Sequence, residues 1–104
     1  MTVAKKEMFN KDENEIASIA KALGHPARIV ILKILSDKGG CSCGELVSAL
    51  PLSQSTVSQH LQELKNADLI NWIEDGPKVW YTVNSRMCDM ALNRFHYMLN
   101  RIRV

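Results

Sequence analysis

Apolar residues recur at helical spacing in several blocks along the chain, and polar or turn-forming residues separate the blocks. Ile16, Ile19, Ala20 and Leu23 form the first block. Asp12 and Glu15 stand before it at capping-box spacing, which predicts a helix opening near Asp12. The polar residues 1–11 are expected to be frayed. Gly24-His25 closes that helix, and Pro26 suits the first turn of another, expected to run to about Ser36 with Ile29, Leu32, Ile34 and Leu35 as its apolar positions. Asp37-Lys38-Gly39-Gly40 reads as a turn. Ser42 and Glu45 form a second capping box, opening a short helix through Leu50 that Pro51 stops. A fourth helix is expected from about Ser53 to Ala67, with Val57, Leu61 and Leu64 facing inward. The β-branched and aromatic runs Ile70 to Glu74 and Val79 to Val83 read as strands joined by a hairpin turn at Asp75-Gly76-Pro77-Lys78. Asn84-Ser85 caps a last helix reaching nearly to the C-terminus.

A short helix, a tight turn, a second helix and a two-stranded ribbon follow one another in that order. This is the layout of a winged helix-turn-helix, mainly α with a two-stranded β-wing. The 104 residues allow one domain, so residues 1–104 are read as a single unit.

Composition narrows the function. Hydrophobic residues make up 46% and charged residues 23%, a balance that argues against global disorder. No apolar run approaches bilayer length, and Met1 to Glu7 has no secretory pattern, so a cytoplasmic location is expected. Three cysteines without a secretory signal argue against a disulfide framework. A net charge of +2 permits nucleic-acid binding without demanding it. The chain has no set of nucleophile, base and orienting group, and no phosphate loop, so an enzyme is not expected.

The most informative stretch is Leu52 to Leu61. Behind its apolar face, the fourth helix carries Gln54, Ser55, Ser58 and Gln59, which are short or amide-bearing and uncharged. Such side chains donate and accept hydrogen bonds at base edges in a major groove. Ser53 and Thr56 belong to the same segment, Thr56 as a phosphate or thymine-methyl contact, and His60 is assigned to phosphate or backbone contact. A solvated helix face is the competing reading, but such a face ordinarily carries Glu and Lys, and the first two turns here carry neither. Lys78, beside the hairpin tip, and Lys65 complete the expected DNA-contacting set. Simple solubility explains a single tip lysine equally well. From Ser53 to Asn84 two lysines face four acidic residues, a net of −2. Positive charge must therefore come from elsewhere, with Arg28, Lys33 and Lys38 as candidates.

The last helix carries Met87, Met90, Ala91, Phe95, Met98, Leu99 and Ile102, a broad apolar stripe. So small a domain has little core left to cover it, which predicts an isologous dimer. The expected contacts are Ile16, Ile19 and Leu23 from the first helix with Met87, Met90, Ala91, Met98 and Ile102 from residues 85–104. A helix folded wholly onto its own domain is the competing reading. Dimerisation would set two recognition helices about one DNA turn apart, implying an inverted-repeat operator.

These segments together resemble the ArsR/SmtB family of bacterial repressors. The residues that carry the resemblance are Lys21-Ala22-Leu23-Gly24-His25-Pro26-Ala27-Arg28, Gly44-Glu45-Leu46-Val47, Leu52 to Leu61, Leu64 to Ile70 and Trp80-Tyr81-Thr82-Val83. The resemblance covers roughly residues 16–84. It implies a homodimeric winged-helix repressor that reads DNA through the helix containing Gln54 to Gln59.

Cys41 and Cys43 flank Ser42 at the start of the third helix, where exposed amide groups favour thiolates. Two thiols one residue apart can ligate a soft metal or As(III), so this pair is the candidate metal site. Metal- and arsenic-sensing members of the family resembled carry such a pair at this helix. Here, however, Leu46 stands where their third thiol is expected, and Cys88, Asp89 and His96 are only fragments of their C-terminal metal pattern. Two ligands are too few for a closed zinc site, and an unliganded pair of small thiols is the competing reading. Three functions remain open at this stage: a DNA-binding repressor, a thiol-dependent metal or arsenite sensor of the same fold, and a protein-interaction module that does not bind DNA.

Overall fold

The computed structural model describes residues 7–103. Helix α1 spans Lys11–Leu23 and is followed by α2 at Pro26–Lys38. A two-residue strand β1, Cys41–Ser42, leads into α3 at Cys43–Ala49, and α4 spans Gln54–Asn66. Strands β2 (Ile70–Asp75) and β3 (Lys78–Val83) form the wing, and α5 runs Ser85–Ile102.

Most boundaries follow from side chains that satisfy the unpaired amide groups of each helix start. Asn10 caps α1: its side chain accepts from the Glu13 amide at 2.8 Å, and the Glu13 carboxylate accepts from the Asn10 amide at 3.2 Å. The expected box at Asp12 and Glu15 is therefore corrected. Asparagine caps as well as aspartate, and the earlier pair leaves Asp12 and Glu13 in the first turn, facing the positive end of the dipole. Fraying to residue 11 is corrected at its end, since Asn10 and Lys11 are ordered by this cap; residues 1–6 lie outside the described residues. The Ser42–Glu45 box forms as expected, with the Glu45 amide donating to Ser42 Oγ at 3.2 Å. Helix α2 extends past Ser36 to Lys38, where Gly39 in a left-handed conformation (φ 72°) returns its amide to the Leu35 and Ser36 carbonyls.

The wing is an antiparallel pair running from Ile70 opposite Val83 to Asp75 opposite Lys78. Its turn is thus Gly76-Pro77 alone, two residues shorter than expected. Strand β1 adds to the base of the wing, Cys41 opposite Tyr81 and Ser42 opposite Trp80, giving the order β1-β3-β2. Its two residues are too short to show a period, and the partner lies some 40 residues away in the chain.

The core gathers Ile31 and Leu35 from α2, Leu46 from α3, Val57, Leu61 and Leu64 from α4, and Leu69, Ile70 and Tyr81 around the wing. Each fully buried leucine or isoleucine contributes about 1.5–3 kcal/mol over its exposed state. That anchoring holds α4 by its inner face and leaves its outer face bare.

Candidate nucleic-acid interface

Three inward residues, Val57, Leu61 and Leu64, leave Gln54, Ser55, Ser58 and Gln59 exposed on the other side of α4. The start of the helix is held by Ser53, whose Oγ accepts from the Thr56 amide at 3.3 Å and donates to Thr56 Oγ1 at 2.9 Å. Ser53 and Thr56 therefore fix the helix end, and Thr56 is half-buried. Ser55 joins them with its Oγ 3.2 Å from Ser53 Oγ.

A cleft of about 550 Å³ lies between α3, α4 and the wing. Gln54 and Ser58 line it from α4, Ser48 from α3, and Lys78 from the wing. One amide, two hydroxyls and one cation thus open onto a single concavity and suit phosphodiester oxygens, while the Glu45 carboxylate that also lines it is paired with Lys38. Lys65 is placed differently. Its Nζ lies 4.6 Å from the Trp72 ring centre and 5.5 Å from that of Tyr81, so this lysine braces the end of α4 against the wing.

The expectation for His60 is corrected. Its residue is 8% exposed and turned into the fold. Its Nδ1 accepts from Arg28 Nε at 3.1 Å, and its ring packs on His25 at 4.5 Å between centres. His60 is one turn on from Thr56 and one residue before Leu61, at the border of the inner side, and Arg28 and His25 draw it inward. Burial, then the neighbouring His25 and Arg28, push its pKa below the ordinary value, against a smaller opposing effect of Glu63. Arg28, half-buried, thereby spends its donors on His60 and the end of α1 rather than on DNA. Of the other candidate cations, Lys38 pairs with Glu45 at 3.8 Å on the surface, a bond of small worth, and Lys33 is exposed.

The expected subunit contacts divide. Ile19 and Ala91 are 3% and 5% exposed and belong to the core of their own domain, so their assignment to the subunit surface is corrected. Leu23 and Met87 also pack against that core. Ile16, Met98 and Ile102 line an open apolar cleft of about 930 Å³ between α1 and α5. Met90 is exposed, as are Leu92, Tyr97 and Leu99, the first two of which the stripe did not flag. Leu92 and Leu99 stand seven residues apart on one face, a spacing that could have marked them. Arg94 crosses the cleft to pair with Glu15 and with Asp12, tying α5 to α1.

Cys41 is fully buried, and burial pushes its thiol pKa up, aided by Glu45 and Cys43 and opposed by Lys38. The thiolate expected there is thus disfavoured. Cys43 is half-buried with its Sγ 3.8 Å from Ser58 Oγ. Among the described residues no three histidine, cysteine or acidic side chains come together around one point.

Known proteins share this arrangement. A helix-turn-helix domain family matches residues 23–71. The transcriptional regulator YgaV of Escherichia coli K12 is 37% identical over 71 residues, covering 68% of this chain and 72% of the relative. An arsenical resistance operon repressor of Staphylococcus aureus is 35% identical over 75 residues, covering 72% and 71%. The structure of HlyU from Vibrio cholerae superposes with a TM-score of 0.68 at 33% identity, over 86% of this chain and 99% of that one. An ArsR-like transcriptional regulator from Rhodococcus sp. RHA1 gives a TM-score of 0.72 at 25% identity, covering 86% of both chains.

Proposed function

The chain belongs to the ArsR family of winged helix-turn-helix transcriptional regulators, and from that premise we propose that it is a homodimeric repressor reading an inverted-repeat operator through Gln54, Ser55, Ser58 and Gln59. It is a DNA-binding regulator and not an enzyme, as its relatives are regulators. The observation that carries the finer reading is the bare, uncharged outer face of α4, backed by a fully buried aliphatic side. Amide and hydroxyl groups there can bond base edges, while Lys78 and the cleft beside it receive the backbone. Ser53 and Thr56 hold the helix end that enters the groove. With little positive charge nearby, affinity for arbitrary duplex is modest and groove fit carries the selectivity.

The dimer reading rests on the apolar α1–α5 cleft and on Leu92, Leu99 and Ile102, whose exposure a monomer of this size tolerates poorly. No helix among the described residues is long and apolar enough to cross a membrane, and action in the cytoplasm, where the genome lies, is part of the proposal. The soft-metal or As(III) reading at Cys41 and Cys43 gains no support from a fully buried Cys41.

Footprinting on the chain's own upstream region tests the proposal. Protection of two symmetric half-sites one helical turn apart is expected, weakening steeply with salt. Binding without sequence preference at all salt concentrations would overturn it.

A further inference from the structure

A half-buried cation beside the recognition helix bridges three elements. Arg28, in the first turn of α2, donates from Nε to His60 Nδ1 on α4 at 3.1 Å. Its Nη1 donates to the carbonyls of Lys21 and Ala22, both at 3.2 Å. Those carbonyls belong to the last turn of α1, where helix ends lack internal partners and the dipole favours a cation. Guanidinium donors sit in a rigid planar fork, so binding acceptors on two helices fixes the helices relative to each other.

The His60 end of this bridge is built to accept. Burial and the adjoining His25 ring keep the imidazole neutral near neutral pH, which leaves Nδ1 with a lone pair for Arg28. His25 is itself fixed, its Nδ1 accepting from the Ala27 amide at 3.0 Å to cap α2. On α4, His60 directly follows Gln59, the last side chain of the reading face, and lies about 100° further round the helix, on the buried side. A roll of α4 about its axis that re-aims Gln59 also displaces His60 from Arg28 and strains that bond.

We propose that Arg28 and His60 are positioning residues for sequence reading: their bond sets the roll of α4 against α1, and so the aim of the reading face relative to the subunit contact. The inference rests on the DNA-reading function proposed above. It asks of Arg28 something other than phosphate contact, and the two roles separate in salt dependence. Losing a phosphate contact lowers the slope of log affinity against log salt by about 1 and weakens all duplexes alike. Losing an aiming bond spares the slope and weakens the operator alone.

The test uses the full chain and its Arg28→Gln, His60→Leu and doubly substituted variants, with His60→Gln as the conservative replacement that keeps an acceptor. Each is titrated, at a temperature where circular dichroism shows it folded, with the footprinted duplex and with a shuffled duplex over a range of salt. Arg28→Gln and His60→Leu are each expected to lose about tenfold in operator affinity, with the double variant little worse than either, as for two halves of one interaction. Shuffled-duplex affinity and the salt slope should stay as in wild type, and His60→Gln should recover most of the operator affinity. A slope lowered by about 1 in Arg28→Gln would make Arg28 a phosphate contact and overturn the proposal. So would parallel losses on both duplexes, which mark a purely structural role, or unchanged operator binding in the variants. A wild-type chain that does not prefer the operator removes the DNA-reading conclusion itself, and this proposal with it.

Discussion

A Cβ built on Gly40 would stand 2.5 Å from Nε1 of Trp80, and its backbone φ of +124° is one that L side chains rarely adopt. The same Cβ would lie 3.0 Å from the Tyr81 carbonyl oxygen, which belongs to backbone that cannot swing aside. This close approach brings β1 against β3. Gly40→Ala is expected to cost about 2–4 kcal/mol, the sum of steric and backbone strain. Urea titration followed by tryptophan emission checks it; a midpoint equal to wild type would show that β1 does not need this approach.

The two faces of α4 should separate stability from recognition. Leu64 is fully buried, so Leu64→Ala is expected to destabilise by about 2–5 kcal/mol. Gln59 is exposed, and Gln59→Ala should leave the urea midpoint within about 0.5 kcal/mol of wild type. Its operator affinity should fall by about 1–3 kcal/mol, the worth of one good base-edge pair. Unfolding and fluorescence-anisotropy titrations on both variants measure the split. Equal operator binding by Gln59→Ala would remove that residue from the reading face.

How far the sequence disclosed this architecture depended on the range of the interaction involved. Periods within one helix put Val57, Leu61 and Leu64 inside, and local caps at Ser42 and Asn84 mark helix starts, because both are settled within a few residues. At the start of α1 two boxes of equal spacing compete, Asn10–Glu13 and Asp12–Glu15, and the pairing of Glu15 with Arg94 of α5 engages the Glu of the second. Strand β1 and the inward turn of His60 depend on partners far along the chain, Tyr81 for one and Arg28 for the other. The same limit applied to the last helix. Its apolar stripe was plain, but which of its residues face the domain's own core, as Ala91 does, is fixed by how α5 lies across α1.

Thiol reactivity should follow burial. Cys41 is fully buried with its pKa pushed up, and Cys88 is half-buried with its pKa pushed up by burial and by Asp89. Cys43 is half-buried at the edge of the α3–α4 cleft. Iodoacetamide at pH about 8 acts on thiolates, whose fraction depends on pKa and access. Cys43 is expected to be alkylated first in the native protein and Cys41 only after denaturation, as peptide mass mapping would register. Rapid native labelling of Cys41 would mean that β1 opens, and would return the Cys41–Cys43 pair as a ligand site.

Acid should weaken the fold through His60. Its folded-state pKa lies below the unfolded value of about 6.5. In the window between the two, the unfolded chain holds more protons than the native one, so stability falls as pH falls. The contribution is intact above about 6.5 and is lost progressively below it. His25, Arg28 and Glu63 are the charged or titratable groups facing the ring, and Glu63 opposes the effect. Urea midpoints of wild type and His60→Gln across this window should show a shallower acid loss in the variant. Identical acid profiles would place the sensitivity elsewhere.

Subunit association should hinge on the outer side of α5. Leu92 and Leu99 are 67% and 54% exposed, and Ile102 continues the strip at the edge of the α1–α5 cleft. Because Leu99 makes little use of its own domain's core, Leu99→Asp should leave the monomer fold intact, with a circular dichroism spectrum like that of wild type. In a dimer closed over this face the new carboxylate would be buried without a partner, a cost of several kcal/mol that shifts the equilibrium to monomer. Operator affinity should fall with it, because two linked half-site contacts gain about 10²–10⁴ over one. Sedimentation velocity and operator titration read the two consequences independently. Ala91→Asp supplies the contrast: Ala91 is buried within the domain, so that variant should lose stability before association. A Leu99→Asp protein that remains dimeric and binds its operator as wild type would place the subunit contact on a different surface.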